Sequence, residues 1–287
     1  MTKIEIKYIY YKLSSLNGSI KHYFHFFYGV FIPIILEYIV QSEEYPNLTF
    51  VIGDDVGPML KILLELPIDI KLKQFLPNYN ELEVEEKYLQ PLDKHPNINK
   101  KYDKFITPNI YNEVNQFMRG CIGIYDLVLN PYDTYDVVLI ERKINKAIST
   151  EHFAKNEYTN VMKTSGSERR SIINHEEFFE QIKKMYPKKK VINVSLEYMP
   201  IFDQYHLFNN TTLVIAQHGA SLAQIIFMKP NTYVIEIVSK IKQKENWFEP
   251  ISNVCGINHY KYLTEHEHTT IDVEDFKNFV ISLKNKK

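Results

Sequence analysis

Val214-Ile-Ala-Gln-His-Gly-Ala-Ser-Leu-Ala-Gln-Ile-Ile-Phe-Met-Lys-Pro-Asn-Thr-Tyr-Val-Ile-Glu-Ile237 is the stretch that decides the fold. Leu213 to Ala216 and Val234 to Val238 are short apolar runs that read as buried strands. Between them comes a turn, then a helix expected over Ser221 to Phe227, and then Pro230 and Asn231, which turn the chain back. A strand, a helix and a second strand in that order make a parallel pair. His218, Gly219 and Ala220 then fall at the carboxyl end of the first strand, where open parallel sheets take their ligands. Gly219 permits close backbone approach. Helix amides and the positive dipole end near Ser221 suit a phosphate. His218 is expected to face open space and donate to the same anion, and Glu236 to accept the hydroxyls of a ribose. The competing reading of the spacing is a plain structural joint with a structural histidine.

The same rhythm extends outward. Asp136 to Ile140 and Val191 to Val194 read as strands, and His175 to Met185, Ile201 to Asn209 and Phe276 to Lys284 as helices. Asn174 is expected to cap the His175 helix, with Glu176 and Glu177 in its first turn. Towards the N-terminus, Lys3 to Tyr11, Leu48 to Ile52 and Ile68 to Leu72 read as strands, and Phe24 to Val40 and Val56 to Leu66 as helices. Pro77 to Pro108 is polar and gives no clear period. Alternating strands and helices call for parallel sheets covered on both faces. The expectation is an α/β protein of two Rossmann-like lobes, with a boundary in the turn-forming Pro131 to Asp136 region: residues 1–133 and 134–287. The last helix is expected to pack back on the first lobe.

Composition narrows the function classes. Of 287 residues, 45% are hydrophobic and 24% charged, and 34 basic against 35 acidic side chains leave a net charge of −1. A nucleic-acid partner would call for a basic excess that is missing. The lysine-rich runs Lys183 to Lys190 and Lys240 to Lys244 read as a solvated helix end and a surface loop. Cys121 and Cys255 are too few for a disulfide framework, which points to a reducing, cytoplasmic compartment. Tyr23 to Val40 is apolar but carries His25, Gly29, Pro33 and Glu37, and it reads as a buried helix rather than a span. Homo-oligomerisation is left open.

The segment around His218 resembles the signature of glycosyltransferase family 61. In that family a His-Gly-Ala-Gly/Ser-Leu turn (here His218 to Leu222) precedes a Phe-x-x-Pro (Phe227 to Pro230) and a Val-Ile-Glu-Ile-type strand (Val234 to Ile237). Upstream, Leu139-Ile-Glu-Arg-Lys-Ile-Asn145 and Arg170-Ser-Ile-Ile-Asn-His-Glu-Glu177 resemble further family elements, the second with one extra residue, His175. Trp247 and Cys255 to Tyr260 resemble its aromatic loop and final strand, and His25 with Phe26, Phe27 and Pro33 its early histidine-plus-aromatic helix. Ser221 stands in place of a common second glycine, and Lys146 in place of an arginine. The family includes plant xylan-decorating enzymes and protein O-GlcNAc transferases.

The resemblance implies a two-lobed GT-B architecture and an inverting, metal-independent transfer of a sugar from a UDP-sugar donor to a glycan or protein hydroxyl, without a tightly bound cofactor. Without a divalent ion, charge on the leaving diphosphate falls to cations and helix amides. Arg142 comes first, then Lys143 and Arg170, beside His218, Gly219, Ala220 and Ser221. The acceptor's proton is assigned to His25 or Asp54 of the first lobe, which the sequence does not separate. Three other readings stay open: a different two-lobed transferase that uses another nucleotide sugar, a non-catalytic glycan- or protein-binding relative, and a Rossmann-like methyltransferase with Ile52-Gly53-Asp54 as its cofactor loop.

Overall fold

Two parallel sheets, one in each of two compact units, Met1–Asp126 and Leu127–Lys287, organise the chain. The structure is a computed structural model, and it describes residues 6–13, 23–53, 56, 59–76, 78–89, 106–123, 127–130, 133–142, 170–197 and 199–284.

The first unit holds β1 (Lys7–Leu13), β2 (Leu48–Ile52), β3 (Ile70–Leu72) and β4 (Val84–Leu89), ordered β3-β2-β1-β4 and all parallel. Every residue of β2 is buried, which is why Leu-Thr-Phe-Val-Ile reads as a continuous apolar run. The Tyr23–Glu44 helix is long and apolar enough to cross a bilayer, yet 61% of its apolar window is buried within the protein. It contains a π-helical stretch, Phe27–Phe31, whose two terminal rings stack at 5.0 Å. Tyr38 meets Phe117 edge-on, from the helix Pro108–Ile122.

Two elements escape the sequence reading. β4 begins Val-Glu-Glu-Lys because it is an edge strand, and its charges pair along the rim, Lys7 to Glu85 at 2.8 Å and Lys87 to Glu85 at 3.1 Å. The Pro108–Ile122 helix buries a narrow stripe of Ile110, Val114, Met118 and Cys121, with Asn115 beside it. Its start is marked by Thr107, whose Oγ1 accepts from the Ile110 amide.

In the second unit β5 (Tyr135–Ile140), β7 (Val191–Val194), β8 (Thr211–Gln217), β9 (Tyr233–Ser239) and β10 (Asn258–Thr264) form a parallel sheet ordered β10-β9-β8-β5-β7. A separate parallel pair joins β6 (Ser171–Ile172) to β11 (His268–Thr269). On one face of the large sheet, Val137, Leu139, Leu213, Ile215, Ile235 and Ile237 meet the His175–Met185 and Val273–Lys284 helices through Phe178, Ile182, Phe276 and Val280. The last helix, expected on the first lobe, thus seats its apolar side on its own unit's sheet, with Phe276 edge-on to Phe178 and Tyr262. From β5 the chain proceeds outward to β7, then returns to β8 on β5's other side and proceeds to β9. The order therefore reverses between β5 and β8, and this is where such a sheet opens a crevice beyond its carboxyl ends.

Candidate functional site

Arg142 follows β5 and His218 follows β8, so the two flank the crevice. The Arg142 guanidinium donates from Nη1 to the His218 carbonyl at 3.2 Å. It also lies against Gly219, where an added Cβ would stand 2.6 Å from Nη1. Gly219 caps a 3-10 helix, Ala220–Phe227, which replaces the expected α-helix. A helix start leaves its first amides without an acceptor inside the helix. Here the start is at Gly219 to Ser221, with the first turn bond running from the Leu222 amide to the Gly219 carbonyl at 3.0 Å. The buried Ser221 hydroxyl has no hydrogen-bond partner among the described residues. A small pocket beside them is lined by Glu141, Arg142, Ser171, His175 and Gln217.

The arginine sits at the far end of a flexible chain and would yield to a methyl at 219, but Gly219 holds φ at 158°, which an alanine adopts only under strain. Gly219→Ala is expected to weaken pyrophosphate binding by about tenfold, the loss of one charged hydrogen bond, and to destabilise the fold by about 1–3 kcal/mol through backbone strain. Calorimetric titration checks the first and a melting curve the second.

His218 departs from expectation. Its imidazole is not open to solvent: the residue is 6% exposed, and the Phe248 ring lies edge-on at 5.5 Å. Nδ1 meets Glu236 Oε1 at 2.5 Å, and Nε2 faces Glu245 Oε2 at 3.4 Å. Glu236 is likewise not free for a ribose. It is 1% exposed, and its second oxygen meets His259 Nε2 at 2.9 Å. The reason is register: Glu236 pairs with Ala216 in β8 and Lys261 in β10, so it shares a sheet face with His259, two residues along. Burial alone would raise the Glu236 carboxyl, but hydrogen bonds and charge from His218 and His259 outweigh it and hold it at about 2. An ionised carboxylate only accepts, so both imidazoles donate to it. Ser252 Oγ meets His259 Nδ1 at 2.8 Å and completes the chain.

Glu245 directly follows the lysine-rich run Lys240 to Lys244 that reads as a surface loop. It is paired with Lys242. Partial burial pushes its carboxyl up, but Lys242, helped by His218 and Arg170, pulls it below the usual range. Arg170 is tied to Glu267 at 2.6 Å, and the Glu267 carbonyl accepts from the Gln217 side chain. Asn174 does not cap its helix with its side chain. It holds the Ile271 backbone instead, donating at 3.0 Å and accepting at 2.9 Å. Arg170 and Asn174 thus pin the β6–β11 pair beside the crevice. His25 is half-buried in the first unit's helix. Lys143 and Asp54 lie outside the described residues. Among the described residues no group of three or more His, Cys, Asp or Glu is placed to hold a metal ion.

Ser252, His259, Glu245 and Glu267 carry no local sequence motif that marks them as site residues. Only the two-residue alternation along β10 carried a signal, for His259, and it needed the register to be read.

The family model described as Glycosyltransferase 61 matches residues 23–235. A beta-1,2-xylosyltransferase RCN11 of Oryza sativa subsp. japonica is 23% identical over 145 residues, covering 49% of this chain and 26% of its own length. The chain thus aligns with about a quarter of that relative.

Proposed function

The chain belongs to glycosyltransferase family 61, and from that premise we propose that it transfers a sugar from a UDP-sugar to a hydroxyl of a glycan or protein. The observation that carries the reading is the Arg142 guanidinium lying on Gly219, at the start of a helix, where the strand order reverses. That place combines a fixed cation with helix amides, the combination a pyrophosphate needs.

In this reading the second unit holds the donor, and the two units are the lobes of a GT-B architecture. The acceptor oxygen attacks the anomeric carbon from the face opposite the nucleotide, so the configuration inverts. The bond to the diphosphate breaks as the acceptor's proton passes to a base of the first unit, His25 or Asp54. Arg142 and the amides of Gly219 to Ser221 neutralise the departing charge in place of a metal ion. With a proton on each ring nitrogen, His218 keeps Nδ1 on Glu236 and donates from Nε2 to the same diphosphate once Glu245 gives way. The ribose falls to a group other than Glu236. The rice relative's name makes UDP-xylose a donor to include in any screen.

A methyltransferase reading is disfavoured by Gly53, where an added Cβ would stand 2.2 Å from the Tyr10 hydroxyl. That phenol fills the space a cofactor loop would offer.

Thermal unfolding with added ligands tests the proposal. UDP at about a hundredfold excess over its Kd should stabilise the chain by about 2.7 kcal/mol, and S-adenosylmethionine should not. Glu245→Gln, which removes a like charge, should tighten UDP several-fold. Sugar transfer should persist in EDTA. Stabilisation by S-adenosylmethionine alone, or loss of transfer in EDTA, would overturn the corresponding part.

A further inference from the structure

Four side chains from four elements form one hydrogen-bonded line in the second unit. Ser252 on the helix Glu249–Val254 meets His259 on β10, His259 meets Glu236 on β9, and Glu236 meets His218 beyond β8, at 2.8, 2.9 and 2.5 Å. The line is dry: Ser252 is 0% exposed and Glu236 1%, and the His259 side chain is 2% exposed. Three of its members come after residue 235, where the family match ends.

Each link fixes the next. Ser252 Oγ donates to His259 Nδ1, which leaves the ring's proton on Nε2, facing Glu236. Glu236 accepts there with one oxygen and from His218 Nδ1 with the other. His218 Nδ1 thereby carries a proton in either charge state of the ring, and Nε2, which donates to an anion only when the ring holds its second proton, is the nitrogen turned to Glu245. A buried carboxylate that sets the tautomer and angle of an imidazole is a recurrent device for making the far nitrogen dependable. Burying an ion this deeply is costly, and a merely apolar core could fill the same space.

We propose that Ser252, His259 and Glu236 are a positioning relay that holds His218 with Nε2 aimed at the donor's diphosphate, an inference that rests on the donor-site reading of the crevice. Glu245 Oε2 lies 3.4 Å from that nitrogen, so it marks where the relay aims an anionic partner. The charged groups around His218 are Glu236 and Glu245 on its two nitrogens, Arg142 on its carbonyl, His259 across Glu236, and Lys242 and Arg170 about Glu245. Of these, Glu236 alone touches Nδ1.

The test reads His218 directly. Long-range proton–nitrogen correlation spectra of the 15N-labelled full chain, at a pH where the ring is neutral, report which nitrogen carries the proton. Wild type should show the Nδ1-protonated form. His259→Phe should mix the two tautomers and weaken UDP binding about tenfold. His259→Gln, whose amide can still donate to Glu236, should restore both readouts most of the way. Should His259→Phe fail to fold, Ser252→Ala serves: it frees the His259 tautomer, and His259 nitrogen shifts should change. Unchanged tautomers in a folded variant overturn the relay, whatever UDP does. Failure of wild type to bind UDP at all, with the tautomer still dependent on His259, would instead strike the donor-site reading.

Discussion

Arg142→Ala is expected to lower kcat for sugar transfer by about a hundredfold to a thousandfold while leaving thermal stability within a few degrees of wild type. The estimate follows from the role of a single fixed donor to a developing oxyanion, which in a dry site is commonly worth that much. Arg142 is suited to it because its guanidinium is already placed, at 3.2 Å from the His218 carbonyl and against Gly219, so little reorganisation is needed on binding. The side chain is only half-buried, so its removal leaves no deep cavity, and the effect on folding is small. Steady-state kinetics with a UDP-sugar, alongside a melting curve, separate the two. Equal losses of turnover and stability would make Arg142 a structural residue. Arg142→Lys should recover only part of the loss, since an ammonium cannot reproduce the planar fork.

Glu236→Gln should be the most destabilising single change at the site. The native carboxyl is held at about 2 against an ordinary value of 4.5. A group depressed in the folded state stabilises fully above its unfolded value and loses that contribution as pH falls towards the folded one. The contribution is roughly 3 kcal/mol at neutral pH. Urea unfolding should therefore show a large gap between wild type and Glu236→Gln at pH 6–8, narrowing below about 4.5 as pH approaches 2. A gap independent of pH would mean that shape, not charge, is what Glu236 supplies. The same variant exposes each imidazole to a neutral partner, so UDP affinity should fall with stability.

Most of the second unit could be read from local pattern alone. His175–Met185, Val191–Val194 and Ile201–Asn209 lie where apolar runs and turn residues put them, the first as an amphipathic helix that buries Phe178 and Ile182. The first unit was harder. β4 hides behind its rim charges, and the Pro108–Ile122 helix behind a polar majority. At the site, the turn at His218 and Gly219 was legible because backbone demand shows directly in sequence. What was not legible depends on register and on distant segments meeting. Glu236 looks like a free ligand group until His259 is known to share its sheet face. Glu245 looks like one more charge in a solvated loop until the chain is seen to return it to His218. Asn174 looks like a cap because its partner, Ile271, lies 97 residues away.

A structure of the chain soaked with UDP tests the central claim most directly. It should show the diphosphate beyond the ends of β5 and β8, within hydrogen-bond distance of the Arg142 guanidinium and of the amides of Ala220 and Ser221, with Glu245 withdrawn from His218 Nε2. UDP bound elsewhere, with Glu245 still on His218 and Arg142 still on Gly219, would contradict it.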